Sequence, residues 1–394
     1  MINVSHDCNL RCTYCYADTG AYGGARGKLA AGVGADIVES FFSRFHEIRT
    51  IQLFGGEPFL NVRGIDGLCR HVAEVCEREG APLPRFTTVS NGTLASDAVI
   101  DLINRHRIGV TVSLDGARPV NDAQRVDVRG GGSFDRVVAN IARLKGATGQ
   151  PAQIEGTFTA AHLASNFSLA GFMRFVAHDL GVRFLHMPWI LGDAYGGTGI
   201  APTEGNVARL IDIYGAAISA SLASLETQDL RDTILLSQVD DALRAALSPA
   251  PPARRTHLCP AGSGTLSVGA DGRVFPCFMF TGKPGFEFTR VGAGFDDAAF
   301  DARRADFTRQ LELPPEGDLG GLAQRGACAG HNHDTGGNIA AVSAASRAVH
   351  DALSAHLRCE LAALRADADR WSWVRCKLML HQLETAGDFA APAC

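Results

Sequence analysis

The sequence predicts an α/β protein: a partial (β/α)6 barrel followed by a small cysteine-rich C-terminal domain. Three observations predict it. Short β-rich runs alternate with helical patterns six times in the first two-thirds of the chain, the rhythm of a parallel sheet with outer helices. That rhythm stops near Leu225, and Pro249-Ala250-Pro251-Pro252-Ala253 then marks a stiff boundary. Beyond it the chain turns rich in glycine and cysteine. The 394 residues are 46% apolar and 20% charged, with a net charge of −5. This balance excludes a disordered, collagen-like or coiled-coil chain and gives no basic surplus for nucleic acid.

The strands expected in order are Ile2–Ser5, Ile51–Phe54, Phe86–Val89, Gly109–Ser113, Gln153–Thr159 and Arg183–Met187. The helices between and after them are expected near Ala31–His46, Gly64–Glu79, Ala98–Arg105, Ser133–Leu144, Leu169–Leu180 and Gly205–Leu225. Six units fall short of a full eight-stranded barrel, and active groups belong at the C-terminal ends of the strands. Asp271-Gly272 lies between Gly264–Val268 and Arg273–Pro276, a strong hairpin signal. Helices near Ala340–Ala366 and Asp369–Thr385 end the chain. The boundaries are therefore read as a barrel over 1–225, a helical and proline-rich connector over 226–256, a cysteine-rich domain over 257–360, and a terminal helix and tail over 361–394.

The most apolar helical stretch, Gly215–Leu225, is interrupted by serines and shorter than the ~20 residues of a membrane span. The first residues carry neither a basic nor an apolar signal segment. A cytoplasmic protein without membrane or nucleic-acid partners is expected. In a reducing compartment, eleven cysteines point to metal or redox chemistry rather than disulfides.

Cys8-Asn9-Leu10-Arg11-Cys12-Thr13-Tyr14-Cys15 places three thiols in eight residues just after the first strand. Three thiolates bind a four-iron cluster and leave one iron open. Structural zinc wants four ligands, and none follows at finger spacing. The C-x3-C-x2-C loop resembles that of the radical S-adenosylmethionine (SAM) enzymes. Further matches follow at successive strand ends: Gly55-Gly56-Glu57-Pro58, Thr88-Val89-Ser90-Asn91-Gly92, Ser113-Leu114-Asp115-Gly116, and then Arg125. The resemblance implies a [4Fe-4S] cluster on Cys8, Cys12 and Cys15, with SAM chelating the open iron. It also implies that Gly55 and Gly56 admit the methionine part, that Glu57 accepts from its ammonium, and that Arg125 pairs with its carboxylate. Asn91 and Ser113 suit the ribose, and Tyr14 helps to position adenine.

Cys259, Gly272 and Cys277 have the spacing that opens a SPASM domain, the auxiliary-cluster module of many peptide-modifying relatives. The module continues C-x2-C-x5-C-x3-C and a last Cys. Here Cys328 resembles the third of those four and Cys359 the last, while Leu319, Leu322 and Asn332 stand at the other three positions. Three readings stay open: Cys259, Cys277, Cys328 and Cys359 hold one auxiliary [4Fe-4S] cluster, His331 or His333 replaces a lost thiolate, or the domain holds no cluster. Cys69 and Cys76 share a helix face and read as core. Cys376 lies in an apolar helix and also reads as packed.

The wording of residues 1–190 is similar to the thioether-forming maturases of six-cysteine peptides, as in Cys15-Tyr16-Ala17-Asp18, Arg129-Gly130-Gly131-Gly132-Ser133 and Gly156-Thr157-Phe158-Thr159. This implies modification of a ribosomally made precursor peptide by a thioether, C–C or C–O crosslink. It also implies a reductant such as flavodoxin or ferredoxin. The chain begins almost at the cluster loop, so leader recognition is expected from a separate protein, from the sheet edge, or not at all. An anaerobic sulfatase-maturating activity is the alternative. That family has an aspartate base after the second SPASM cysteine, where this chain has Phe278. A non-catalytic iron–sulfur scaffold is a third reading. His186 and Trp189 end the sixth strand, and His186 is a candidate for moving a proton, against the reading of a histidine satisfied in packing.

Overall fold

The structure is a computed structural model that describes residues 1–189, 204–229, 232–247, 256–313 and 328–386. Its centre is one sheet. Strands β1 (Ile2–Ser5), β2 (Thr50–Gly55), β3 (Arg85–Ser90), β4 (Gly109–Ser113), β5 (Gln153–Glu155) and β6 (Phe184–His186) lie side by side in chain order, all parallel. Helices α1 (Ala31–Phe42), α2 (Val62–Glu79), α3 (Asp97–His106), α4 (Arg118–Gln124), α5 (Phe134–Thr148), α6 (Ala160–Ala164) and α7 (Leu169–His178) connect them. The apolar strand residues Val4, Leu53, Val110, Val112, Ile154 and Leu185 are all buried, as expected for strands covered by crossover helices.

The structure adds a seventh parallel strand where the rhythm was expected to stop. β7 (Leu235–Leu236) follows α8 (Val207–Glu226) and pairs with β6. Two residues are too few to register as a periodic run, so packing on β6 alone defines them. α9 (Ser237–Leu247) comes next. α8 is also longer than the apolar stretch read from sequence. By length and composition it is apolar enough to cross a membrane. In the fold it packs on α7 and β7 and buries Leu210, Tyr214, Ile218, Leu222 and Leu225.

The hairpin forms as expected from Asp271-Gly272. β8 (Ser267–Val268) and β9 (Arg273–Phe275) are antiparallel, and β10 (Thr289–Arg290) pairs with β9. The hairpin continues the barrel sheet, because β8 pairs with β1 through Ile2 and Val268. The side-chain amide of Asn3 donates to Val268 O at 3.2 Å. α10 (Asp297–Arg309) and α11 (Ala329–Gly336) follow. α12 (Ala344–Ala366) and α13 (Ala368–Ala386) then return to pack on α8.

Candidate active site

The loop carrying Cys8, Cys12 and Cys15 leaves the C-terminal end of β1 with all three thiols unpaired and half-buried. The Asp7 carboxylate caps it, accepting from Cys8 N at 2.9 Å, and is held by Arg26 at 2.6 Å. Arg11 reaches back to Cys8 O and Leu10 O, both at 2.7 Å. Two donors aim at the Cys8 sulfur: Leu10 N at 3.4 Å and the Asn91 side-chain amide at 3.6 Å.

Gly55 and Gly56 were expected to make room for the methionine part of SAM. The structure shows that they also make room for the chain itself. A Cβ on Gly55 would lie 2.2 Å from Ser5 O, and one on Gly56 would lie 2.4 Å from Asp7 O. Gly55 also has φ +133°, which only glycine adopts without strain. This contact lets Gly56 N donate to Ser5 O and Glu57 N to Asp7 O, each at 2.9 Å, and so seats the cysteine loop on β2.

Glu57 was expected to meet the ammonium of SAM. It is fully buried, and its carboxylate accepts from Phe59 N at 3.0 Å, Ser90 Oγ at 3.0 Å and Asn91 N at 2.7 Å. Burial pushes its carboxyl above the usual range, and these donors pull it back. The residue ties the end of β2 to the end of β3. Asn91, expected at the ribose, donates to Asn9 Oδ1 at 2.8 Å and accepts from Thr93 N, bracing the cysteine loop. Ser113 ends β4 half-buried.

Arg125 was expected at the carboxylate of SAM. It is buried, donates to Tyr14 Oη at 2.6 Å and stands 3.7 Å from Asp115 Oδ1. Tyr14 Oη donates to Asp115 Oδ2 at 2.6 Å. Asp115 also accepts from Thr157 N at 3.1 Å, and its carbonyl bonds His162 Nε2 at 2.6 Å. His162 is fully buried against Phe158 and Phe167, and burial lowers its basicity. Asp115 and His162 escaped the sequence reading, although Asp115 lies inside Ser113-Leu114-Asp115-Gly116.

A second thiol group stands beside the first. Cys277 caps the short helical turn Phe278–Phe280, and Cys328 caps α11. Neither sulfur accepts a capping hydrogen bond, but the backbone amides that follow, Met279 and Phe280 for Cys277 and Gly330 and His331 for Cys328, partly offset the rise that burial gives each thiol. Cys259 lies within electrostatic reach of both. Met279 and Tyr14 form one small apolar cluster with Cys12, Tyr16, Cys277, Phe278 and Cys328 packed on it. The two thiol groups therefore share a wall. Cys359 does not join them: it sits on the exposed face of α12, whose buried face carries Val349, Leu353 and Leu357. Its place as the last cysteine of the module, beyond a gap, says nothing of helix face. His333 is turned away, its ring edge-on to Phe286 and its Nδ1 3.2 Å from Asp334. His331 stays on the first turn of α11 beside Cys328. Asn332 is buried and bonds Ile339 O at 3.1 Å; Leu319 and Leu322 lie outside the described residues.

His186 ends β6 as expected, with Nδ1 2.7 Å from Ser237 Oγ. Trp189 is buried against Tyr214 and His350. Cys69 and Cys76 are buried in the core, whereas Cys376 is exposed on α13 rather than packed.

Burial pushes the Cys12 thiol up to about 12 and raises Cys277 and Cys328 as well. Left alone, these sulfurs stay protonated at neutral pH; a bound metal is what removes such protons. Sulfur-directed amides and clustered buried thiols fit iron–sulfur groups. Among the described residues, no three Cys, His, Asp or Glu side chains converge as they would on one metal ion. A cluster distributes its thiolates over separate irons, so its ligands stand wider than those of a single ion.

A parallel half-barrel with a three-thiol loop after its first strand defines the class of radical SAM folds, which hold a [4Fe-4S] cluster and SAM. Residues 2–154 match the model of the radical SAM superfamily. A cysteine-type anaerobic sulfatase-maturating enzyme from Clostridium novyi is 30% identical over 145 residues, 36% of this chain and 38% of that protein. A GTP 3′,8-cyclase from Peptoclostridium acidaminophilum is 28% identical over 202 residues, 48% of this chain and 56% of that protein. The alignments thus span between 38% and 56% of these relatives' own lengths. The solved structure of native anSMEcpe with bound AdoMet superposes with a TM-score of 0.75 at 15% identity, over 93% of this chain and 98% of that one. The same protein with AdoMet and a Kp18Cys peptide gives 0.72 at 16% identity, over 91% and 96%.

Proposed function

We propose that this chain is a radical SAM enzyme that modifies a ribosomally made peptide, forming an intramolecular thioether, C–C or C–O crosslink. The observation that carries the reading is the shared wall at Tyr14 and Met279, on which Cys12 of the first thiol group packs together with Cys277 and Cys328 of the second. In this reading the first three cysteines hold the [4Fe-4S] cluster that SAM completes, and the second three hold one auxiliary cluster with its fourth position open or filled by His331. The auxiliary part is the hairpin region within 257–360. A cluster held by Cys8, Cys12 and Cys15 would, with SAM, supply 5′-deoxyadenosyl-radical chemistry able to take one substrate hydrogen; the second would leave as a proton to a base and an electron to the auxiliary cluster. Gly55 and Gly56 seat the loop, Ser113 offers a hydroxyl at the end of β4, and His186 with Ser237 is the candidate proton carrier. A peptide substrate is supported by the fold likeness to a protein solved with a peptide. A ferredoxin or flavodoxin is the expected electron donor, and a separate leader-binding protein the expected partner.

A second reading, sulfatase maturation, is favoured by the fold likeness over 93% of this chain. Against it, Phe278 follows Cys277 and packs on Tyr16 and Phe54 at 5.7 and 5.3 Å between ring centres, so no base stands there. Co-expression with a short peptide encoded beside the gene, followed by mass spectrometry, separates the two. A crosslink appears as a two-hydrogen loss with fragments held together; formylglycine appears as a hydrazine-reactive aldehyde. Reconstituted protein that makes no 5′-deoxyadenosine from SAM under dithionite would end both readings.

A further inference from the structure

Among the described residues, Arg125 is a cation buried beside the first thiol group; Tyr14 and Asp115 hold its guanidinium, while its Nε meets no hydrogen-bond partner. Backbone pairing puts it there. Leu10 bridges Asp127 in antiparallel fashion, Arg11 N donates to Val126 O at 2.7 Å, and Thr13 N donates to Gln124 O at 3.0 Å. In that register Cys12 lies directly opposite Arg125, as a pair without mutual backbone bonds, the kind whose side chains come closest. The guanidinium is then fixed from the other side by Tyr14 Oη at 2.6 Å and by Asp115 at 3.7 Å. Tyr14 is two residues from Cys12 and bonds Asp115 itself.

We propose that Arg125 is a positioning residue, a fixed cation set against Cys12 and locked there by Tyr14 and Asp115, which eases reduction of the cluster that Cys8, Cys12 and Cys15 would hold. One-electron reduction adds negative charge to the cluster, and a buried cation facing one of its thiolates stabilises that charge strongly because the surroundings are poorly polarisable. Asp115 opposes the effect, but its carboxylate is already engaged by Tyr14 Oη at 2.6 Å and Thr157 N at 3.1 Å. The proposal rests on the cluster assignment above and goes beyond it. It removes Arg125 from the carboxylate of SAM and gives it to the protein's own sulfur.

The test is an EPR-monitored redox titration of reconstituted protein without SAM, with SAM added at the end to identify the signal it perturbs. Arg125→Met is expected to make one-electron reduction about tenfold less favourable, about 59 mV lower. Arg125→Lys keeps the charge and is expected to restore most of the potential. Tyr14→Phe removes one oxygen and frees Arg125 to close on Asp115; it is expected to lower the potential too, and it covers the case in which Arg125→Met takes up no iron. Unchanged potentials in Arg125→Met and Tyr14→Phe, with iron retained, overturn the proposal, as does a Met variant whose only defect is SAM affinity. A wild-type protein that binds no iron on Cys8, Cys12 and Cys15 overturns the cluster assignment first, and the proposal with it.

Discussion

Glu57 accepts three hydrogen bonds in a dry place, so its removal leaves Phe59 N, Ser90 Oγ and Asn91 N without their acceptor. Each unmet buried donor costs about 1–3 kcal/mol. Glu57→Ala is therefore expected to destabilise the apoprotein by at least about 2 kcal/mol, read as a lower urea midpoint; an unchanged midpoint would return Glu57 to a ligand-binding role. His350 is buried against Trp189, and burial lowers its pKa to about 4 from an ordinary 6.5. The unfolded chain then takes up a proton that the folded chain refuses. The stability tied to neutral His350 is complete above about pH 6.5 and is lost as pH falls toward 4. Between pH 6.5 and 5 that loss is about 2 kcal/mol. His350→Phe should flatten this acid slope in urea titrations; an identical slope in both proteins would assign the acid sensitivity elsewhere.

Lys377 shows what one side chain does for a whole element. It sits on α13 with its ammonium buried, donating to Ser224 O and Thr227 O at 2.8 Å, Thr227 Oγ1 at 2.6 Å and Asp229 O at 2.9 Å. These oxygens end α8, where carbonyls lack helical partners and a cation is favoured. The terminal helix is thus pinned to the long apolar helix by charge as well as by Leu378 and Val374. Lys377→Met preserves the stem and removes the donors, and is expected to cost about 1.5–3 kcal/mol. Faster amide exchange confined to α13 and the end of α8 would confirm it. Exchange at the wild-type rate would show that apolar packing suffices.

For the whole molecule, the hairpin β8–β9 joins β1 edge to edge, so the two thiol groups ride on one sheet and share the wall at Tyr14 and Met279. If each group holds its own cluster, reconstituted protein carries about eight irons and the Cys8/Cys12/Cys15 triple alanine variant about four. Cys328→Ala should lose the other four, and Cys359→Ala should lose none. Equal iron loss on changing Cys359 would bring that helix face into the site. The first three cysteines were legible because one loop holds them at a fixed spacing. Cys259, Cys277 and Cys328 were named from a motif with gaps, and Cys359 with them. Spacing across a long gap does not encode which face of α12 a residue occupies, and the helix turned Cys359 to water to bury Val349 and Leu353 on α8.

By itself the sequence determined the β/α rhythm, the Cys8–Cys15 loop after β1 and the Asp271-Gly272 hairpin. All are local: a period, a spacing and a turn residue each act within a few residues. Tertiary structure decided what those residues face. Gly55, Glu57 and Arg125 were read as facing a ligand; the fold adds to each a protein neighbour that the sequence did not show, Ser5, Asn91 and Tyr14. β7 exists only because β6 offers it an edge. The physical reason is common to all of these. A buried polar group must find a partner, and which partner lies nearest depends on chain segments brought together from 34 to 111 residues away.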